Sequence, residues 1–330
     1  MTRVVAVFVV LCAFPLAMQA IDGLFYVSLA SRILIYAIAA TSLNLVLGYG
    51  GMLSFGHAAF FGAGAYTVGI LTVDYQVPFW IAFALSGITA AVVGFFIGLV
   101  SLRLKGHYFS IFTMCVGYIM YLVIEKWESL THGTVGIIGV PAPSGLGSIT
   151  FDSPRPLYYL VFAFLVLGTW VMHRIVSSLL GRTFVAIRNS DDLAESLGIN
   201  LMRNKLLAFI LSTFYAGVAG GLYAGFVRFL GPGLAGIEQT FDMTMYMLVG
   251  GLGTLLGPLL GALMVPWLTQ YLQFLQEYRF IVFGPILVLL VIFVPHGIVG
   301  TYAGWRARRD AAAPAAQPQL ATADAKGSHA

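Results

Sequence analysis

The residues that could do chemistry in this chain are few and poorly grouped. Six histidines, His57, His107, His132, His173, His296 and His329, are scattered without the spacing that metal ligation requires, so no metal site is expected. The run Gly231-Pro-Gly-Leu-Ala-Gly236 has the form G-x-G-x-x-G, but a dinucleotide site needs a strand before it and a βαβ unit around it. A stretch of membrane-spanning character precedes it instead, so it reads as a loop. No G-x-x-x-x-G-K-S/T run occurs, so the chain has no phosphate loop with which to bind ATP. Cys12 and Cys115 both fall in apolar stretches and read as small core residues, not as a disulfide framework. Neither an enzyme constellation nor a cofactor is expected.

Three stretches remain. Gly48-Tyr-Gly-Gly-Met-Leu-Ser-Phe-Gly56-His57 and the run from Gly250-Gly-Leu-Gly253 through Gly257-Pro258 to Gly261 are dense in glycine. Paired Gly/Pro interruptions in two halves of a membrane protein point to discontinuous helices around a transport pathway, and freed backbone at membrane depth is tolerated only where protein or water satisfies it. The pathway candidates are therefore Asn44, Gly50, Gly51, Ser54, His57, Gly250, Gly251 and Gly253, with plain packing or a surface turn as the competing reading. His57 is either hydrogen-bonded within the bundle or lines the pathway beside Asn44 and Ser54. No carboxylate lies deep in an apolar stretch, which removes the main mark of proton-coupled transport. Sodium coupling through backbone carbonyls stays open.

The third stretch runs from Gly181 to Lys205 and is polar. Ser190 followed by Asp191 and Asp192 is a helix start, because the hydroxyl accepts orphan amides and the carboxylates oppose the positive end of the dipole. Gly198 is a natural C′ stop. The helix between them, about two turns long, presents Leu193 and Leu197 on one face and is too short and charged to span. It is either a solvated connector or a docking peg for a soluble partner.

Composition dictates what must hold these stretches. The chain is 59% hydrophobic and 9% charged, against about 45–50% apolar and about 25% charged in soluble domains. Charge-free intervals cover 4–21, 33–73, 75–102, 106–124, 156–173, 206–227, 243–276 and 280–305, where about 20 apolar residues suffice to cross a bilayer. The two longest must each hold two crossings, or one crossing and a broken segment. The expected fold is an all-α polytopic transmembrane bundle of about ten segments with Gly-rich broken helices. The first interval resembles a signal peptide, but Met18 stands where a small residue is wanted, so it reads as a retained helix.

With both termini inside, the inner segments hold Arg3, Arg103, Lys105, Arg174, Arg182, Arg188, Arg203, Lys205, Arg306, Arg308, Arg309 and Lys326, while the outer ones keep Arg32, Lys126, Arg155, Arg228 and Arg279. The excess inside satisfies the positive-inside rule, and it also accounts for the pI of 9.0 without nucleic acid. The expected organisation is a permease domain over 1–305, with a cytoplasmic loop at 181–205 and a periplasmic loop at 125–155. The tail 306–330, rich in Ala, Pro and Gln, is expected to be disordered. Many of the 38 glycines form small-xxx-small pairs such as Gly217/Gly221 and Gly257/Gly261, which read as close helix packing.

Four segments together resemble the larger, M-type inner-membrane permease subunit of high-affinity branched-chain amino-acid ABC transporters. They are Thr41 to His57, Leu130-Thr-His-Gly-Thr-Val-Gly136, Gly181 to Lys205, and Ala216-Gly-Val-Ala-Gly-Gly-Leu-Tyr-Ala224. In the general ABC permease loop, E-A-A-x-x-x-G, the places are filled here by Asp192, Leu193, Ala194 and Gly198, so two of four differ. His132 stands where glycine is expected. The resemblance implies half of a heterodimeric pore in a bacterial inner membrane, working with a second permease subunit, two ATP-binding cassette ATPases and a periplasmic substrate-binding protein. Its substrate would be leucine, isoleucine, valine or a related amino acid or amide. The coupling residues would be Arg182, Arg188, Ser190, Asp192, Leu193, Glu195, Leu197 and Gly198. The rival class is an ion-coupled secondary transporter of small zwitterions.

Overall fold

The protein is described by a computed structural model over residues 23–145, 150–151 and 153–271, together with 9, 11–16, 18, 285 and 297–301. Helix α1 (Leu24–Asn44) ends in a π turn, Leu45–Tyr49. It is followed by α2 (His57–Val73), α3 (Phe79–Ser101), α4 (His107–Lys126) and the single turn α5 (Glu128–Thr131). Next come α6 (Pro154–Ser177), α7 (Leu179–Asn189), α8 (Asp191–Ser196), α9 (Leu201–Val227), α10 (Ile237–Gly250) and α11 (Gly257–Tyr271). A helical membrane fold follows from the bilayer's demand that backbone groups be satisfied within the segment. One pair of two-residue strands, β1 (Ile137–Ile138) and β2 (Phe229–Leu230), adds an antiparallel contact, Ile137 opposite Leu230, to the expected all-α architecture.

Among the described residues five helices are long and apolar enough to cross a membrane: Leu24–Tyr49, Phe79–Ser101, His107–Lys126, Pro154–Ser177 and Leu201–Val227. Helices α10 and α11, of 14 and 15 residues, rise only about 21–23 Å, short of the ~30 Å hydrocarbon core. The segments expected at 4–21 and 280–305 fall largely outside the described residues, as does the tail 306–330. Helix α1 is the axis of the bundle: from Ile33 to Asn44 all but Tyr36 are buried, so it is apolar all round. Glycines bring its neighbours together. Gly64 of α2 meets the Gly217 backbone of α9, and Gly217 and Gly221 pack on Ala90, Ser86 and Phe83 of α3.

Three expectations need correction. Cys12 and Cys115 are exposed, on a surface that in a membrane protein is itself apolar, so apolar surroundings in sequence do not imply core. Helix boundaries do not follow the charges: α1 takes in Arg32, and α10 takes in Glu238 and Asp242. Finally, 231–236, read from sequence as a loop, includes the 3-10 turn Pro232–Ala235, and the chain from 229 packs along α2. The Tyr66 hydroxyl donates to the Leu230 carbonyl at 3.2 Å, Ala235 packs against Gly62, and the Ala58 amide donates to Thr240 Oγ1 at 3.0 Å. Residues 66, 62 and 58 are successive turns of α2, so the chain descends about 6 Å along it before α10 begins and about as much again over the first turn of α10.

Candidate functional site: the junction of two helix breaks and a capped polar helix

The connections gather at two ends of the bundle. At one end Asp74 and His132 face each other, Oδ1 to Nε2 3.1 Å, and Trp80 Nε1 donates to the Ser144 carbonyl at 2.9 Å. His132 and Gly133 both take positive φ, 61° and 57°, so His132 occupies the left-handed position that ends α5 and that favours glycine. At the other end the break after α1, the break between α10 and α11, and the α7–α8 stretch meet.

Asn44 joins the two breaks. Its Nδ2 donates to the Thr254 carbonyl at 2.9 Å, and its Oδ1 accepts the Gly253 amide at 3.0 Å. Thr254 Oγ1 then donates to the Gly251 carbonyl at 2.8 Å and accepts the Gly257 amide at 3.0 Å. Two side chains thus satisfy four of the freed backbone groups between 251 and 257, as unwound backbone inside a bilayer would require. Glycine is needed here for approach: a Cβ on Gly48 would lie 2.6 Å from the Gly253 nitrogen. Gly51 and Gly253 also take positive φ, 70° and 67°. Gly250 faces the Gly257 and Gly261 backbone, where α10 and α11 pack together.

Arg188, near the end of α7, enters the same junction. Its Nη1 donates to the Gly48 carbonyl, and a Cβ on Gly51 would lie 2.9 Å from its Cγ, one on Gly253 2.7 Å from its Nη1. A cleft of about 450 Å³ opens beside it, lined among others by Gly50, Gly51, Lys105, Arg188, Ser190 and Lys205.

His57 and Ser54 lie apart from this cleft's lining and are fully buried. His57 Nε2 is 2.8 Å from Ser42 Oγ, which is 2.6 Å from the Ala39 carbonyl. With the Ser42 proton committed to Ala39, the imidazole donates from Nε2. The Ser42 carbonyl in turn accepts from Ser212 Oγ. Of the two readings of His57, this geometry is that of a histidine bonded within the bundle. Its Nδ1 and Ser54 Oγ have no partner among the described residues.

Helix α8 has the local chemistry its sequence specifies. The Leu193 amide donates to Ser190 Oγ at 3.2 Å. At the far end Gly198, φ 81°, donates to the Glu195 carbonyl at 2.9 Å, and Ile199 donates to Ala194 at 3.1 Å, a Schellman closure. Lys205 Nζ meets Asp191 Oδ2 at 2.6 Å and ties α8 to α9. Leu193 and Leu197 are 62% and 71% exposed. Asp192 and Glu195 of the same helix are exposed, as is Arg182 on α7. Helix α7 was not anticipated. Its signal was Gly181, Phe184 and Ile187 at helical spacing, which form its buried face. Thr254, Ser42 and Ser212 were missed because nothing local distinguishes them.

The described residues define a multi-pass helical membrane protein whose interrupted helices meet, at one end, a short polar helix with an apolar exposed face. Residues 25–291 match the family described as branched-chain amino acid transport system / permease component, and the chain belongs to that family. It is 30% identical over 295 residues to the high-affinity branched-chain amino acid transport system permease protein LivM of Escherichia coli (strain K12), covering 83% of this chain and 69% of that one. The LivM protein of Salmonella typhimurium is 29% identical over the same shares. The permease protein LivH of Escherichia coli (strain K12) is 24% identical over 80% of this chain and 91% of that protein. No solved structure matches the chain.

Proposed function

We propose that this permease forms one half of the membrane pore of an ATP-driven importer of branched-chain amino acids, leucine, isoleucine and valine, or related amino acids and amides. The chain's similarity to both LivM and LivH supports a heterodimer of two homologous permeases. Lacking a phosphate loop, the pore requires two ATP-binding cassette subunits, and a periplasmic binding protein delivers the solute. The permease domain is 1–305, with both termini, the tail 306–330 and the loop 181–205 in the cytoplasm and the loop 125–155 in the periplasm. The relatives lend nothing to the rival reading of an ion-coupled transporter.

One observation carries the mechanism. The coupling stretch and both helix breaks are a single hydrogen-bonded unit, because Arg188 reaches the Gly48 carbonyl and abuts Gly51 and Gly253, while Asn44 binds the second break to the first. Movement of α8 by an ATPase docked on Leu193 and Leu197 is therefore transmitted through α7 and Arg188 to the unwound backbone, where Gly50 and Gly51 open the pathway. Ser190 and Gly198 keep α8 rigid enough to transmit it. Arg182, Asp192 and Glu195 rim the dock.

The test is uptake of labelled leucine by the reconstituted complex with and without ATP. Uptake that needs ATP and the binding protein is expected. Uptake driven by an ion gradient without ATP would overturn the reading.

A further inference from the structure

Part-way along the bundle, a cleft of about 360 Å³ lies between α4 and the start of α10, lined by Tyr118, Tyr121, Gly233, Gly236, Ile237 and Glu238. That volume is near the lower bound of small-molecule sites, about 300–1,000 Å³, and suits a solute of amino-acid size. The Tyr118 and Tyr121 rings lie nearly parallel, 21° apart with centroids at 5.9 Å. Facing them is backbone that carries no side chain at Gly233 and Gly236.

Glu238 supplies the charge. It sits in the first turn of α10, and its carboxylate makes no hydrogen bond or ion pair within the described residues. The descending segment 229–236 has carried it down to the level of Gly62 on α2, about three helical turns from the end of that helix. The side chain is exposed, so the carboxylate is open to a ligand entering the cleft, and an ionisable group within a membrane bundle is a functional-site candidate. The described residues offer Glu238 no cation. A ligand with an ammonium group and an apolar side chain would meet each feature: the ammonium meets the carboxylate and the ring faces, which attract cations, and the side chain lies against the same aromatic surface.

We propose that this cleft receives the ammonium group of the transported amino acid, after release from the binding protein and before the junction of Gly48 and Gly253 opens beneath it. The inference rests on the importer reading above.

The complete transporter in proteoliposomes, with binding protein and ATP, is the material for the test. A leucine analogue carrying a diazirine in its side chain is photolysed during turnover of the wild type, and adducts are mapped by mass spectrometry. Adducts on Tyr118, Tyr121 or Glu238 that excess leucine suppresses are expected. Transport of the analogue with no adduct in this cleft overturns the site while leaving the importer reading intact. Absence of any ATP-dependent uptake takes down both.

A second arm uses Glu238→Gln, expected to raise the KM for leucine about tenfold or more while ATP hydrolysis stimulated by the binding protein persists. Glu238→Asp is expected to restore much of the loss. An unchanged KM in Glu238→Gln overturns the site. If that variant does not assemble, the wild-type adducts decide.

Discussion

Asn44 and Gly253, separated by 209 positions in sequence, share a 3.0 Å hydrogen bond in which the side-chain amide oxygen accepts a main-chain N–H that no helix satisfies. The other half of the same amide serves the next peptide, through the Thr254 carbonyl. A single side chain thus does for the second break what a continuous helix would have done. One break therefore cannot rearrange without disturbing the other, and Arg188 extends that constraint to α7.

Replacing Asn44 tests this directly. Stranding a buried donor costs about 1–3 kcal/mol, and Asn44 serves one donor and one acceptor. Asn44→Ala is therefore expected to cost at least about 2 kcal/mol of stability, read as a lowered thermal midpoint of the solubilised transporter. Asn44→Asp keeps the bond to Gly253 but turns a charged oxygen toward the Thr254 carbonyl, so it should be no better. A midpoint unchanged in both variants would mean that the breaks are held elsewhere.

Arg188 is expected to govern coupling more than assembly. Arg188→Ala removes the bond to the Gly48 carbonyl and the packing against Gly51, so hydrolysis should continue with less solute moved per ATP, by about tenfold or more if a charge-assisted bond of this kind is lost. Lysine lacks the planar fork and should recover only part. The measurement is the ratio of leucine imported to phosphate released, and an undiminished ratio in Arg188→Ala would refute the assignment.

What could be read from sequence divides by range. The caps of α8 were legible because Ser190 and Gly198 act on amides and carbonyls within a few residues. The glycine breaks were visible as composition, and their use against helix packing was partly visible at Gly217 and Gly221. The partner of Asn44 was not visible, since only folding brings residue 253 to it. Nor was the depth of Glu238, because charge was taken to mark the end of a span, and the descending segment 229–236 carries it inward. For His57 the sequence left two readings open, and the partner of its ring, Ser42, came only with the fold.

Glycine packing between α2 and α9 gives a contrast free of functional assumptions. A Cβ on Gly64 would run into the Gly217 backbone, whereas one on Gly233 would meet nothing within 4 Å. Gly64→Val should abolish accumulation of folded protein through overpacking of about 1–3 kcal/mol or more, and Gly233→Ala should be tolerated, both read as monodisperse yield. Equal yields would show that α2 and α9 do not approach this closely.

The two ends of the bundle should lie on opposite sides of the membrane. The junction at Arg188 and the Asp74–His132 pair belong to different ends, and from the excess of basic residues Arg188 is expected on the cytoplasmic side. Because Cys12 and Cys115 are exposed, both must first be removed. Single cysteines at Arg182 and His132 should then react with an impermeant maleimide from opposite faces of oriented vesicles. Labelling from one face would remove this topology.

The exposed leucines of α8 make the most direct case for a partner. Leu193 and Leu197 stand 62% and 71% exposed on a helix fixed by the Ser190 cap, the Gly198 closure and the Lys205–Asp191 bridge. Rigid apolar side chains in a polar loop gain by burial, about 1.5–3 kcal/mol for each leucine that becomes fully buried. Converting both to Asp removes that gain and adds two charges to an interface that must then desolvate them, so the affinity for the ATPase subunits should fall by at least a hundredfold. Crosslinks from Glu195 or Ser196 to an ATPase should form in the wild type and vanish in the double variant, while the isolated permease keeps its thermal midpoint because neither leucine is part of the core. If the ATPases still co-purify and transport persists in Leu193→Asp/Leu197→Asp, α8 is a connector, and the force must enter the bundle elsewhere.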